Sequence, residues 1–184
     1  MELELPGCLI RSWRAGDEPS LARHADSERL WRNVRDQFPH PYTLADATAW
    51  VAGASEARPE TQFAIEVDGE AAGGIGLFLQ EDVARYSAEL GYWLGEAHWG
   101  RGIMTGVVRG FTEHAFRTFD LGGIYAIVFE WNPASRRVLE KAGYRVDPAP
   151  DAAATRSPRR RRYRRSRSAR RSRSRCRRRS TGRQ

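Results

Sequence analysis

Between Ser87 and Phe129 the chain reads SAELGYWL, GEAHWGRG, IMTGVVRGFTEHAFRTFD, LGG and IYAIVF, and this order constrains the fold more than any other stretch. Ser87 to Leu94 alternates as a strand does, while Met104, Val107, Val108, Phe111 and Ala115 recur at helical spacing and mark a buried stripe. Ile124 to Phe129 is then a short apolar strand, set off by Gly122-Gly123. A strand, a helix and a strand in such close succession predict a parallel pair joined by a right-handed crossover. Its ligand crevice is expected at the carboxyl ends of the two strands.

The connection into the helix carries the chemistry. Trp99 to Thr105 can turn successive backbone N–H groups toward one point, with the positive end of the helix behind them. Gly100 and Gly102 allow close approach of the backbone to an anion, and Arg101 between them can add charge. The ligand expected from these features is a phosphate or pyrophosphate; a plain tight turn is the alternative that the same glycines satisfy.

The flanking sequence supplies the remaining elements. Cys8 to Trp13 reads as a first strand, and Asp17 as an N-cap for a helical stretch from Leu21 to Val34, broken by the prolines of FPHPY. Thr43 and Asp46 form a capping pattern ahead of Leu44, Ala47, Val51 and Ala54. Phe63, Ile65 and Val67 alternate up to Asp68-Gly69, and AAGGIGLFL returns as the partner strand, so a β-hairpin is expected. Asn132-Pro133 opens a last helix as N-cap and first-turn proline, with Val138 and Leu139 inward and Gly143 at its end.

Charge divides the chain. Residues 1 to 155 hold all 23 carboxylates against 15 basic side chains, and residues 156 to 184 hold 16 arginines and no acid. That terminal stretch has one aromatic residue and no periodicity, so residues 148 to 184 read as a disordered Arg/Ser-rich tail, unable to offset their ordering entropy. Its composition is also what a shifted frame of GC-rich DNA encodes. Cys8 and Cys176 stand far apart and give neither a disulfide framework nor metal-ligand spacing, and no cluster with His98 or His114 suggests a metal. No apolar run reaches the roughly 20 residues of a membrane span and the acidic start is unlike a signal peptide, so a cytoplasmic protein is expected.

Three blocks together, ELGYWL, WGRGIMT and the N-x-x-S-x-R-V-L-E-K-A-G-Y run from Asn132 to Tyr144, resemble the GNAT superfamily of acyl-CoA-dependent N-acetyltransferases, in particular its RimJ/RimL-like branch. The resemblance extends from about Leu9 and implies an α/β (α+β) fold: a mixed, strongly twisted sheet flanked by helices over residues 1–147. It makes acetyl-CoA the cosubstrate, with Trp99, Gly100, Arg101, Gly102, Ile103, Met104 and Thr105 around the pyrophosphate and Asn132 on the pantetheine arm. Two positions depart from the family loop: Trp99 stands where Gln or Arg is usual, and Met104 where a small residue is usual. The second of two further strands that complete the family's sheet is not recognisable after Tyr144.

The resemblance also implies roles. Backbone N–H groups near Trp93 and Leu94 would polarise the thioester carbonyl. Glu89, on the strand leading to the crevice, is the candidate base, with an ordinary solvated strand carboxylate as the alternative. Ser135 is the candidate proton donor to the departing thiolate and a further coenzyme contact; helix capping is the other use for Asn132 and Ser135. Trp31, Phe38, Tyr42 and Trp50 line an acceptor pocket or belong to the core. The acceptor is a primary amine, on a protein N-terminus or a small molecule, and the chain is a monomer or homodimer. The arginine-rich tail offers a different function, non-specific nucleic-acid binding through counterion release.

Overall fold

The structure is a computed structural model and describes residues 1–146 and 160–167. Its elements are β1 (Glu2–Leu5), β2 (Cys8–Ser12), α1 (Glu18–Ala25), α2 (Glu28–Trp31), α3 (Leu44–Glu56), β3 (Gln62–Val67), β4 (Glu70–Leu79), β5 (Ser87–Leu94), α4 (Ile103–Thr118), β6 (Gly123–Phe129), α5 (Pro133–Lys141), β7 (Arg145–Val146) and β8 (Arg160–Ser166). All the strands form one sheet in the order β1-β2-β3-β4-β5-β6-β8-β7. Every pairing is antiparallel except β5 with β6, the pair that the intervening α4 predicts.

One face of the sheet packs on α4 and α5 through Ile65, Leu77, Leu90, Val108, Phe111, Ile124 and Leu139. The opposite face packs on α1 and α3 through Trp13, Leu21, Tyr42, Ala47, Val51 and Ala64. Local chemistry fixes the joints. Asp68 and Gly69 both take positive φ (52° and 84°), as a tight hairpin between twisted strands requires. Thr43 Oγ1 accepts from Asp46 N–H while the Asp46 carboxylate accepts from Thr43 N–H, a complete capping box at the start of α3. Gly143, at φ 89°, turns the chain out of α5 so that Tyr144 N–H reaches Leu139 O.

Four expectations need correction. β1 was not expected; its Leu3 and Leu5 pack on the core while Glu2 and Glu4 face outward, which tucks it beside β2. The helix read from Leu21 to Val34 is two helices, because Asp26 ends α1 and Ser27 Oγ caps a new start by accepting from Leu30 N–H. Asp17 sits at the N-cap position, but its carboxylate does not cap the helix. It takes two hydrogen bonds from the buried Arg11 guanidinium, at 2.7 and 2.8 Å, and one from Arg14 N–H at 3.0 Å. A buried arginine requires such a partner.

The fourth correction concerns the tail. Residues 160–166 are not disordered: they form β8, hydrogen-bonded along β6 on one side and β7 on the other. The strand that was not recognisable is therefore present. Tyr163 is fully buried in the α4/α5 face of the sheet, and its hydroxyl accepts from Arg136 Nε at 3.2 Å. The arginines around it are usable as strand residues because their stems are apolar and their heads find partners. Arg160 lies over Phe129 and Arg162 over Tyr125 at 4.5 and 3.9 Å from the ring centres, while Arg165 donates to Ala142 O and Arg161 pairs with Glu130. Five of the arginines counted for nucleic-acid binding thus belong to the sheet. Arg167 is also described, and the other residues of the expected tail, 148–159 and 168–184, lie outside the described residues.

Candidate active site

The sheet itself opens the site. β5 and β6 are paired only from Ser87 to Glu89 against Gly123 to Tyr125. Beyond that point β5 stays with β4 as far as Leu94, and β6 stays with β8 as far as Phe129, so the two parallel strands part. Gly95 N–H bonds to Ala72 O on the β4 side, and alternation along the strand therefore turns the backbone N–H groups of Tyr92 and Leu94 into the gap. Leu94 O also faces away from β4 and accepts from Trp99 Nε1 at 2.6 Å. Of the two residues expected to polarise a carbonyl, Leu94 has the suitable orientation; Trp93 N–H is directed to β4.

The loop stands at the mouth of this gap. A short turn at Glu96–His98 leads to Trp99, whose indole bond to Leu94 ties the loop to the end of β5. Trp99 thus has a structural use where the family has Gln or Arg. Gly100 and Gly102 have φ of 77° and 79°, and a Cβ on either would meet nothing within 4 Å, so backbone conformation is what demands glycine there. Gly102 is the N-cap of α4, and the first N–H groups of a helix have no partner within it.

These groups, with Trp99, Ile103, Met104 and Thr105, line a cleft of about 500 Å³ whose far wall is Asn132, Ser135, Val138 and Lys141 of α5. The loop geometry and the cleft fit a coenzyme pyrophosphate. Arg101 does not line the cleft. Its guanidinium turns outward to His98 Nδ1 at 3.1 Å and Asp68 at 3.5 Å. Partial burial, with His24 and Arg101 nearby, lowers the His98 pKa and favours the neutral ring that can accept this hydrogen bond.

A second cavity, of about 260 Å³, lies on the α1/α3 side of the gap. Its walls include Phe38, Tyr42, Trp50, Phe78, Trp93 and Phe129; Trp31 is absent, being stacked on His40 instead. Gly74 and Gly91 line it without side chains of their own. A Cβ at Gly74 would come within 2.7 Å of the Trp93 indole and one at Gly91 within 3.0 Å of the Phe78 ring. Glu89 lines this cavity and is held by Arg35 at 2.5 Å, while the Arg35 guanidinium lies 4.4 Å over Phe78. It is a positioned carboxylate and not a freely solvated one.

The two cavities share Asn33, Val34, Tyr92, Trp93, Asn132 and Ser135. At this junction the Tyr92 hydroxyl and Ser135 Oγ lie 2.7 Å apart, and Asn132 Oδ1 accepts from Ser135 N–H at 3.0 Å. Asn132 is therefore both the cap of α5 and a wall of the cleft. Burial pushes the Tyr92 pKa well up, against the opposing effect of its Ser135 hydrogen bond, so the phenol stays protonated. Tyr92 escaped sequence reasoning. Its alternation with Leu90 and Leu94 reads as core, and the partner that gives it a role is 43 residues away. Among the described residues no group of three or more His, Cys, Asp or Glu could hold a metal, and no helix is long and apolar enough to cross a membrane.

The site is thus a mixed sheet parted between its parallel strands, with a helix start at the mouth and two cavities joined through the gap. The chain belongs to the acetyltransferase (GNAT) domain family, whose model matches residues 8–145. It is similar to "Probable N-acetyltransferase YjcK" of Bacillus subtilis (strain 168), 44% identical over 72 residues, which is 39% of this chain and 40% of that one. The chain thus spans about two fifths of the length of that relative. Among solved structures, the ribosomal L7/L12 α-N-protein acetyltransferase RimL in complex with coenzyme A superposes with a TM-score of 0.75 at 18% identity, covering 90% of this chain and 98% of that one. Mycobacterium smegmatis RimJ in complex with a CoA disulfide gives 0.74 at 23% identity, covering 90% and 86%.

Proposed function

We propose that this protein transfers an acetyl group from acetyl-CoA to a primary amine, the coenzyme entering through the loop-side cleft and the amine through the aromatic cavity. The observation that carries the reading is the junction: two cavities of different chemistry meet where β5 and β6 part, at the Tyr92–Ser135 hydroxyl pair. The N–H groups at the start of α4 hold the pyrophosphate, and Asn132 and Ser135 flank the pantetheine arm. Leu94 N–H polarises the thioester carbonyl as charge develops on its oxygen. The amine must be neutral to attack, which a protein α-amino group of pKa about 8 achieves far more readily at pH 7 than a lysine of about 10.4. Glu89 receives the amine proton, directly or through water, with Arg35 fixing its orientation. Ser135, hydrogen-bonded to Tyr92, delivers a proton to the departing thiolate.

The amine acceptors that suit this site are protein N-termini and compact small molecules. Calorimetry of the full chain with acetyl-CoA tests the first half of the reading: one site per chain is expected, and a folded sample giving no heat would refute the coenzyme assignment. Release of free thiol on adding amines tests the second half. Ser135→Ala and Tyr92→Phe should each lower kcat about tenfold to a hundredfold with the acetyl-CoA Kd unchanged. A large loss of affinity instead would assign the pair to binding.

A further inference from the structure

Within the acceptor cavity, and resting on the acetyl-transfer reading above, one cation has a ring contact but no ion-pair partner among the described residues. Arg35 is neutralised by Glu89, and on β8 Arg161 and Arg165 have Glu130 and Glu113. Arg160 also lines the cavity, stacked 4.5 Å over Phe129. Among the described residues no carboxylate lies within 4 Å of it, and its Nε is buried without a hydrogen-bond acceptor. Such a donor is costly to leave unmatched, and a guanidinium fork is shaped to take a carboxylate or phosphate through paired hydrogen bonds. Glu89 lines the same cavity, together with the rings of Phe38, Phe78, Trp93 and Phe129.

We infer that the acceptor is amphoteric: a primary amine on an apolar or aromatic body that also bears an anionic group, with the anion held by Arg160, the body among Phe38, Trp93 and Phe129, and the amine toward Glu89 and Tyr92. The arrangement selects an aromatic amino acid or similar compact molecule, or a polypeptide whose N-terminal apolar residue is followed by an acidic one. It disfavours polyamines, which would bring a second positive charge to Arg160.

The test separates the anion from turnover. 3-Phenylpropionate has the body and anion of such an acceptor and lacks the amine; 3-phenylpropanol lacks the anion. Binding to the full chain is followed by calorimetry, with acetyl-CoA binding measured on the same samples. The carboxylate should bind about tenfold or more tightly than the alcohol, as expected for a charge-assisted pair. Arg160→Gln should remove this difference, Arg160→Lys should restore part of it, and Arg161→Gln, on the same strand but paired with Glu130, should leave it unchanged.

Equal affinity for the two compounds, or an equal effect of the Arg160 and Arg161 substitutions, would overturn the inference by making the attraction a general one for the arginine-rich chain. Thiol release with L-phenylalanine, phenethylamine and peptides opening Phe-Asp or Phe-Asn then distinguishes free from polypeptide acceptors. Failure of acetyl-CoA binding would defeat the acetyl-transfer reading itself; intact coenzyme binding with no anion preference would defeat only this one.

Discussion

Replacing Tyr163 by alanine tests whether the arginine-rich strand is part of the folded core. Tyr163 is the largest of the fully buried side chains, and it sits on β8 between β6 and β7 with its hydroxyl bonded to Arg136. Removing a buried aromatic ring costs about 3–5 kcal/mol through lost transfer energy and the cavity left behind. That is a large share of the roughly 5–15 kcal/mol by which a domain is stable. Tyr163→Phe keeps the ring and loses one hydrogen bond to a charged donor, a cost of about 1–3 kcal/mol. Arg161→Gln, at an exposed ion pair, should change stability by less than about 1 kcal/mol. Urea unfolding of the full chain, followed by tryptophan fluorescence, gives all three. The expected order is alanine worst, phenylalanine intermediate and the Arg161 variant near wild type, with an unchanged denaturant slope. A Tyr163→Ala protein with the wild-type midpoint would refute the argument, because no fully buried ring can be deleted without cost.

Three further outcomes are expected. Gly102→Val should weaken acetyl-CoA binding measured by calorimetry, because a β-branched residue at φ 79° costs about 1–2 kcal/mol of backbone strain that the loop can relieve only by moving; an unchanged Kd would place the phosphates elsewhere. Glu89→Gln should lower kcat most steeply at low pH, where little amine is already neutral, and leave acetyl-CoA affinity constant; an unaltered pH–rate profile would leave Glu89 a structural partner of Arg35. Burial raises the pKa of Tyr42 and of Tyr144 from 10.0 to about 12. The unfolded chain therefore ionises them first, and urea unfolding should show stability fully retained below pH 10 and falling by a few kcal/mol as pH rises toward 12. A flat profile across that range would mean that these phenols are not desolvated.

The crossover from β5 through α4 to β6, the hairpin, the capping box and the glycine loop could be read from the sequence because each depends on neighbours within a few residues. What escaped depends on distant partners. Asp17 has the residue type of an N-cap, and only the fold brings Arg11 and Glu66 together to make its carboxylate half of a buried ion-pair network. β8 has a single apolar residue in seven, so neither hydrophobicity nor periodicity marks it as a strand. Rings on β6 supply the surface over which the guanidinium groups of Arg160 and Arg162 lie. For the site, the resemblance brought Ser135, Asn132 and the loop to attention and its place on the strand leading to the crevice brought Glu89, and these residues line the two joined cavities. Arg101 was drawn in by its place between two glycines, which fixes the backbone and leaves the direction of the side chain to Asp68 and His98.

The two glycines in the wall of the aromatic cavity bear on how its shape can evolve. Most pockets are enlarged by trimming side chains, at the expense of the packing around them. Here these two positions are already at their minimum, and change runs in the other direction. A methyl group at Gly91 would press on the Phe78 ring, whose face carries the Arg35 guanidinium, which in turn grips Glu89. A single added carbon is thereby relayed to the orientation of a charged group, so one codon change can shift both the room in the cavity and the setting of the Glu89 carboxylate.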